Sequence, residues 1–429
     1  MEVADEKSSE AKEEERKQLA ESYARQRKAV DEKNASHHWA SCLRVVDLRG
    51  HQTVSTKEME KGTGCYSICL CTFLSRPNMR FVVVGTAKEM DPVTRKAAAY
   101  FIELYSFNEE NGSLSLFEKT QVEAIPTAVC PFQGKLLVGI GKTLRLYDLG
   151  KKKLVRKCEN SQFATSIYSI HTSGQRIYVS DVSQSVFFCV YRRPENAITV
   201  VALDSVPRWV TSTELLDHDT VACGDRFGNV SILRLRAEHS DAISDQEQRG
   251  TDHLALTKLD GKEDGWTGRE SGFSVPYKLD CLVNFHVGDV ITSISKSTVV
   301  SGASEVLLYT TLFGGIGALL PVILKEDIIF LKKLETLMRN YVRPLCGHDH
   351  LSYRSSYGLA QGVVDGDLCE QYWSLDFVKQ KEIASELFSK DPHPSEVLKK
   401  LEDFQESILF VPHMPKMPTE SQASSQGSS

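Results

Sequence analysis

The chain has 429 residues, a net charge of −6 and a sequence pI of about 6.1. Hydrophobic residues make up 41% and charged residues 25%, as in a globular protein large enough for two or three domains. The acidic balance argues against a protein that mainly wraps nucleic acid, which needs a basic face. No apolar run is long enough to span a membrane, and the first residues do not resemble a signal peptide. The 11 cysteines are scattered, which favours reduced thiols over a disulfide framework.

Residues 1–38 form a charged lead segment. Acidic and basic side chains recur four residues apart, as in Glu13 with Lys17 and Glu21 with Arg25. This spacing predicts a solvent-exposed helix, and the absence of an apolar stripe predicts weak packing. An interaction arm is the alternative.

The first strand patterns follow the lead segment. Residues 39–47 read as a strand with no partner before it, as in a blade whose beginning is missing. Residues 65–72 form an apolar strand with Cys65, Cys69 and Cys71 on one face. A zinc site would need a fourth ligand and usually a cysteine pair on a turn. We therefore interpret these cysteines as core residues.

Residues 131–160 show the clearest pattern: strand, glycine turn, strand, basic turn, strand. In the middle strand Leu144, Leu146 and Leu149 alternate with more polar positions, the period of a half-buried strand. One three-stranded meander cannot bury both of its faces, so it needs similar sheets as neighbours.

Such copies recur along the chain. Strands that follow a turn start at spacings of 42, 42, 44 and 86 residues, at Ile102, Leu144, Val186, Val230 and Ile316. A period of about 40–45 residues with this content is typical of β-propeller blades. We predict a mainly β fold in which residues 39–322 form a partial seven-bladed propeller of five complete strand pairs plus part of another blade. The missing first blade is expected to lie outside this sequence. A β-sandwich or several small sheets are the alternative.

Residues 236–276 interrupt one predicted blade. They are rich in acidic residues, Ser, Gly and His, and poor in apolar positions, so we predict a disordered insertion. The insertion explains the doubled interval of 86, because its sequence does not alternate as an extra blade would.

The period changes to that of helices after residue 322. Residues 367–387 and 395–408 look helical, and so does a stretch with apolar residues on one face, Ile328, Leu331, Leu334, Leu337 and Met338. We predict a small helical domain at 323–414 and a low-complexity tail at 415–429.

No group of residues predicts catalysis. The glycine-rich stretch 313–318 lacks the Lys-Ser/Thr of a phosphate loop. Cys346, His348 and His350 could bind a metal, but no other paired ligands accompany them, so we predict neither metal nor cofactor. The basic turn at 151–157 is interpreted as solvated rather than phosphate-binding. A propeller without a catalytic group is typically a platform for partners.

Several stretches carry a family resemblance: residues 124–160, PRWV at 207–210, LLDHDTVACGDRFGN at 215–229, YTTLFGGIG at 309–317, PLCGHDHLSYRS at 344–355 and VVDGDLCEQ at 363–371. Through them, residues 39–404 outside the insertion resemble the C-terminal third of the splicing factor 3b subunit 3 family, the 130-kDa spliceosome-associated proteins. The stretch GDL before a helix is shared with two related families, the large damaged-DNA-binding protein and the largest cleavage-and-polyadenylation subunit.

The resemblance implies the third of three propellers followed by a helical domain. It implies a non-enzymatic nuclear scaffold in the splicing factor 3b part of the U2 particle, acting in pre-mRNA splicing through protein contacts. The implied partners are the helical-repeat subunit, the ten-kilodalton subunit and the zinc-knot protein, with indirect or weak RNA contact and no membrane.

The resemblance also implies contact residues. Positions that match the family's contact stretches are Pro207, Arg208, Trp209, Asp219, Thr220, Val221, Asp225, Arg226, Gly302, Ser304, Glu305, Tyr309, Thr310 and Thr311. Three single positions, at which the residue type differs from the family's, are Val93, Thr165 and Gln361. Trp and Arg are the residue types that dominate interface energetics, which favours Trp209 and Arg208 as anchors.

The sequence departs from the family in three ways. The first two propellers are absent, which implies a fragment, a partial gene model or a chain that assembles with a separate piece. His348 stands where the family usually has Arg, and the 236–276 insertion and the tail are peculiar to this chain. The alternative functions are an adaptor of the related ubiquitin-ligase/DNA-damage or cleavage-and-polyadenylation complexes, or a metalloenzyme using Cys346, His348 and His350.

Overall fold

The computed structural model describes residues 40–90, 96–249, 275–298, 305–342, 347–355, 358–388 and 393–409. Antiparallel sheets dominate, and most of the described helices follow the last strand, which confirms the predicted mainly β class with C-terminal helices. The contacts divide the chain into two units, Met1–Glu159 and Asn160–Ser429. The predicted lead segment 1–38 and tail 415–429 lie outside the described residues.

The first unit is built from three antiparallel sheets. One has two strands and the others have four each, in the order of the chain: β1 (Cys42–Asp47) and β2 (Gln52–Glu58); β3 (Thr63–Cys71), β4 (Arg80–Lys88), β5 (Ala99–Phe107) and β6 (Leu114–Val122); β7 (Pro126–Phe132), β8 (Lys135–Ile140), β9 (Thr143–Leu149) and β10 (Leu154–Asn160).

Strands in the middle of these sheets form the core of the first unit. The sequences of β4 and β8 are nearly continuous apolar runs because both faces of each strand are buried. Their side chains join one buried cluster that contains Phe81, Leu104, Leu136 and Tyr147.

Cys69 and Cys71 of β3 point to this core, and burial raises the pKa of the Cys71 thiol to about 12, so it is a protonated core residue. The prediction that Cys65 shares their face is wrong, because a bulge between Cys65 and Ser67 turns Cys65 to the opposite face, where it packs in a separate cluster with Val82 and Val84.

The second unit contains three further sheets. In the first, a short strand pairs in parallel with the fourth strand; the other two are antiparallel. Their members are β11 (Ile167–Ser173), β12 (Arg176–Asp181), β13 (Ser185–Arg192), β14 (Ala197–Leu203) and β18 (Tyr277–Lys278); β15 (Val210–Asp217), β16 (Thr220–Asp225), β17 (Asn229–Arg234) and β19 (Asp280–His286); β20 (Ile291–Thr298), β21 (Glu305–Thr311) and β22 (Ile316–Leu319).

The predicted repeat corresponds to a repeat of sheets. Each of the five spaced residues lies in the third strand of its own sheet: Ile102, Leu144, Val186, Val230 and Ile316. The interval of 86 arises because the insertion stands between β17 and β19, the third and fourth strands of one sheet. Arg234 at the end of β17 pairs with Asp280 at the start of β19, so the insertion leaves and rejoins the sheet at neighbouring positions.

The predicted disorder of residues 236–276 is corrected at its start. Helix α1 (Ala237–Arg249) directly follows the sheet. It buries Ile243, and Ser240 on the same helix accepts a hydrogen bond of 2.8 Å from the buried guanidinium of Arg176. A polar composition concealed this helix, because polar contacts hold it alongside the single apolar side chain of Ile243. Residues 250–274 lie outside the described part.

The C-terminal helices, apart from the short α3 (His350–Tyr353), share one core. They are α2 (Lys325–Tyr341), α3 (His350–Tyr353), α4 (Gly366–Glu370), a 3₁₀ turn (Gln371–Ser374), α5 (Phe377–Leu387) and α6 (Pro394–Leu409). The periodic residues of α2 point inward, and Leu334 and Met338 pack with Tyr372, Ile383 and Val397. Among the described helices, none is both long and apolar enough to cross a bilayer.

Candidate partner interface

Most of the described contact residues predicted for the second unit fall at two opposite ends of its last two sheets. The strand register pairs Val210 with Asp225 and Ile291 with Thr311. One end of the two sheets, here named the tryptophan end, therefore consists of residues 204–210, 225–229 and 311–316. The hydroxyl of Thr211 donates to the carbonyl of Ile291 and fastens the two sheets together near this end. The β15–β16 turn, 217–220, lies at the other end, named the hairpin end.

An aromatic and cationic cluster is exposed at the tryptophan end. Trp209 is 40% exposed and Phe227 is 45% exposed. The Arg226 guanidinium lies 4.8 Å from the centre of the Trp209 ring and 5.4 Å from that of Phe227. The Arg226 amide donates to the Trp209 carbonyl at 2.9 Å, which fixes the two turns relative to each other. The three side chains form a pre-arranged cation–π surface of the kind that supplies interface anchors.

Arg208 points the opposite way from Trp209. It is only 4% exposed, and its Nε donates to Asp204 at 2.9 Å while Nη1 donates to Ser231 at 2.9 Å. Burial alone would lower the pKa of Arg208, yet the neighbouring Cys223 and Asp204 raise it above its usual value, so the side chain stays charged. The expected anchor role therefore changes: Arg208 is an internal support beneath Trp209 rather than an exposed contact.

Asp225 shapes the turn that carries Arg226 and Phe227. Its Oδ1 accepts from the amides of Phe227 and Asn229 at 2.8 and 2.9 Å, and its Oδ2 accepts from Asn229 Nδ2 at 2.7 Å. Gly228 completes the turn with a φ of +85°, where a Cβ would lie 2.7 Å from the carbonyl oxygen of Asp289. The buried carboxylate therefore acts through the turn.

A second exposed turn lies at the same end, after β21. The amide of Phe313 donates to Asp289 at 2.9 Å, and the Gly315 amide donates to the hydroxyl of Thr311 at 3.0 Å. These bonds hold a turn whose apolar side chains face solvent, with Phe313 91% exposed. Thr310 pairs its hydroxyl with that of Thr292, and Tyr309 packs against the sheet core.

The predicted residues at the hairpin end are engaged within the chain. Asp219 pairs with the buried Arg176 and accepts from Ser240 of α1 at 2.8 Å. The Thr220 hydroxyl accepts from Arg234 Nε at 2.7 Å, and Val221 is buried. These three side chains stabilise the hairpin and the docked helix, and they do not form one surface with Trp209.

Residues 40–374 match the family model described as the CPSF A subunit region. The chain belongs to this family. It is 43% identical over 378 residues to spliceosome-associated protein 130 A of Arabidopsis thaliana, covering 88% of this chain and 30% of the relative. It is 42% identical over 379 residues to splicing factor 3B subunit 3 of Danio rerio, again 88% and 30%. Pre-mRNA-splicing factor RSE1 of Mycosarcoma maydis is 40% identical over 369 residues, 86% and 29%. The chain thus spans about a third of the length of these relatives.

The remaining predicted contacts of this CPSF A subunit region are dispersed. Pro207 is exposed beside Trp209. Thr165 is exposed and its amide donates to Asp181 at 2.9 Å, while Glu305 is held by Lys296 at 2.6 Å. Gln361 is exposed and forms a bridge to Asn284 of β19. Val93, Gly302 and Ser304 lie outside the described residues.

Sequence reasoning did not select every residue at the tryptophan end of this CPSF A subunit region. The exposed apolar residues there include Phe227, Leu312, Phe313 and Ile316. The sequence did contain a signal for these residues. Large apolar side chains stand in glycine-containing turns, where they cannot be part of a hydrophobic core. These residues extend the surface around Trp209 and Arg226.

The histidine-containing loop forms an internal bond network. His350 Nε2 lies 2.7 Å from Asp365 Oδ2, and Arg354 Nε donates to the same oxygen at 2.6 Å. Asp365 also caps α4 by accepting from the Leu368 amide at 3.3 Å. Cys346 lies outside the described residues, and within the described ranges no three His, Cys, Asp or Glu side chains are grouped to hold a metal.

Proposed function

We propose that this chain is a non-enzymatic scaffold of the splicing factor 3b complex that acts in pre-mRNA splicing in the nucleus. Its similarity to proteins named as splicing factors and spliceosome-associated proteins supports the process. The observation that carries the scaffold role is the exposed Trp209–Arg226–Phe227 cluster, which is held in place by buried hydrogen bonds. A rigid aromatic surface of this kind binds proteins without needing chemistry.

We further propose that the sheets are blades of a β-propeller. Within each unit, sheets of two to five strands follow one another along the chain, and the third strands of the larger sheets recur at 42 to 44 residues where no insertion intervenes. Short antiparallel sheets repeated at this spacing support blades of a seven-bladed propeller. The blades would present their turns at two ends, and in the second unit these are the tryptophan end and the hairpin end.

The proposed partners are the helical-repeat subunit, the ten-kilodalton subunit and the zinc-knot protein of splicing factor 3b. The tryptophan end supports a docking role because aromatic, arginine and threonine side chains are combined there in turns of fixed shape. The net charge of −6 supports protein contacts rather than a dominant RNA contact.

Capture of the helical-repeat subunit tests the proposal. Trp209→Ala should weaken capture by more than about 1 kcal/mol, which is at least a fivefold loss of affinity. Trp373→Ala is the matched control, because Trp373 is also 40% exposed but lies in the 3₁₀ turn among the C-terminal helices. Unfolding midpoints of both variants should stay at that of the unchanged chain.

Equal capture by the unchanged chain and Trp209→Ala would remove the proposed interface. The set of captured proteins tests the complex itself. Recovery of splicing factor 3b proteins supports the proposal, whereas recovery of a cullin or of polyadenylation factors in their place would assign the chain to one of the related complexes.

A further inference from the structure

The second unit contains a large cavity that the partner surface does not use. It has a volume of about 670 Å³ and lies between the last two sheets and the C-terminal helices. The sheets contribute side chains such as Leu216, Ile232 and Leu307, and the helices contribute Leu331, Leu401 and Phe404. This volume falls within the roughly 300–1,000 Å³ of pockets that bind small molecules.

The cavity lies between two hydrophobic cores. Leu307 belongs to the core of the sheet pair, and Leu331, Cys369 and Leu401 belong to the helical core. Apolar side chains of both cores line the cavity. A ligand that covers both walls would gain free energy from the apolar surface that it removes from water.

The charges of the lining restrict the class of that occupant. Two lysines and two glutamates stand among lining residues that are otherwise mostly apolar. Lys296 and Glu305 neutralise each other at 2.6 Å, and Glu370 accepts from Gln405 at 2.8 Å. With equal numbers of each sign, the lining gives no preference for an ion. The wall therefore favours an uncharged, largely apolar molecule with few hydrogen-bonding groups.

We propose that this cavity is a binding site for a neutral, predominantly apolar small molecule. The molecule would lie between Leu307 of β21 and the helices α2 and α6, and would join the sheets to the helical core. Binding to the folded chain alone would raise the stability of the second unit by mass action.

The neutral solvatochromic dye Nile red tests the site in the full chain. We expect saturable binding of one dye per chain and a raised unfolding midpoint. Two substitutions should fill the cavity and weaken dye binding at least tenfold. Ala318→Trp enlarges an exposed lining residue of β22, and Gly366→Leu adds a side chain where a Cβ meets no atom within 4 Å.

The control is Ala164→Trp, which enlarges an exposed alanine outside the cavity lining and should bind the dye as the unchanged chain does. Two filling variants at separate positions keep the test informative if one fails to fold, as checked by circular dichroism. Non-saturable binding, or equal affinity in the folded filling variants and the unchanged chain, would overturn the proposal. Loss of dye binding on addition of splicing factor 3b proteins would assign the cavity to a protein partner instead.

Discussion

Arg208 and Trp209 are neighbours in sequence with opposite environments. Trp209 lies half exposed under Arg226, whereas Arg208 is enclosed with Asp204 and Ser231. Trp and Arg are both residue types that are common as interface anchors, but these two side chains have different roles. Loss of Arg208 would break a buried ion pair and leave an unpaired charge. In the proposed interface, Trp209 supplies contact surface and Arg208 supports the fold behind it.

Arg208→Ala should therefore lower the free energy of unfolding by about 3–5 kcal/mol, because it leaves the Asp204 carboxylate buried without its partner. Arg226→Ala is the matched comparison, since it removes an exposed arginine from the same end of the sheets. It should cost less than about 1 kcal/mol, the value of an exposed cation–π contact. Urea unfolding of both variants measures the difference. Similar midpoints for the two would show that Arg208 is not a structural residue.

The sequence could indicate the residue types at this site but not their directions. Val210 begins a strand, but Arg208 and Trp209 precede it in a tight turn in which the Val210 amide donates to the Arg208 carbonyl at 2.9 Å, so strand alternation does not set their directions. A charged residue at an inward position conflicts with the usual pattern of burial. Asp204 and Ser231, which satisfy it, are four and 23 residues away, and only the fold brings both to Arg208.

At the scale of elements, helix α1 shows how a polar segment can be ordered. Asp219 in the β15–β16 turn accepts from Ser240 and pairs with Arg176, so one carboxylate links two sheets to the helix. His239 also stacks on Tyr277, with ring centres 4.3 Å apart. The sequence offered no apolar stripe here, so hydrophobic periodicity could not reveal the helix.

Asp219→Ala should release helix α1, because Arg176 loses its partner and Ser240 its acceptor. We expect faster amide exchange over residues 237–249 and a loss of roughly 1.5–3 kcal/mol in the free energy of unfolding, the value of hydrogen bonds to charged groups. Asp241→Ala is the control, since Asp241 is an exposed aspartate on the helix itself. Unchanged exchange in Asp219→Ala would mean that the contacts of Asp219 do not hold the helix.

The strands and the large helix were predictable for a common reason. Their cores impose a period of 2 or 3.6 on the sequence, as in β9 and α2. The parallel pairing of β18 with β14 was not, because Tyr277 and Lys278 are too few residues to show a period. Contacts between distant segments, such as Gln361 with Asn284, leave no local signal at all.

At the scale of the whole molecule, the second unit carries two partly buried histidines whose burial favours the neutral form. Burial lowers the pKa of His171 and His286 below the ordinary value of 6.5. In the unfolded chain these groups bind protons as the pH falls through 6.5, whereas in the folded chain they bind protons only at lower pH. Stability should therefore decrease as the pH falls below 6.5 and recover above it.

Urea unfolding at pH 7.5 and 5.5 measures this dependence. His171→Gln should show a smaller loss of stability between the two pH values than the unchanged chain, because one proton-linked group is removed. His348→Gln, a change at an exposed histidine, should leave the dependence unaltered. The same pH dependence in all three proteins would show that buried histidines do not control it.

The pairing of Arg234 with Asp280 has an evolutionary consequence. The segment between them starts and finishes at adjacent ladder positions, and Arg236 reinforces the junction through a 2.7 Å bond to Asp280. Closing a flexible loop costs only about 0.6 kcal/mol more for each doubling of its length. Further residues can therefore be inserted at this junction at little thermodynamic cost, so descendants of this gene can acquire new sequence here while β17 and β19 stay in register.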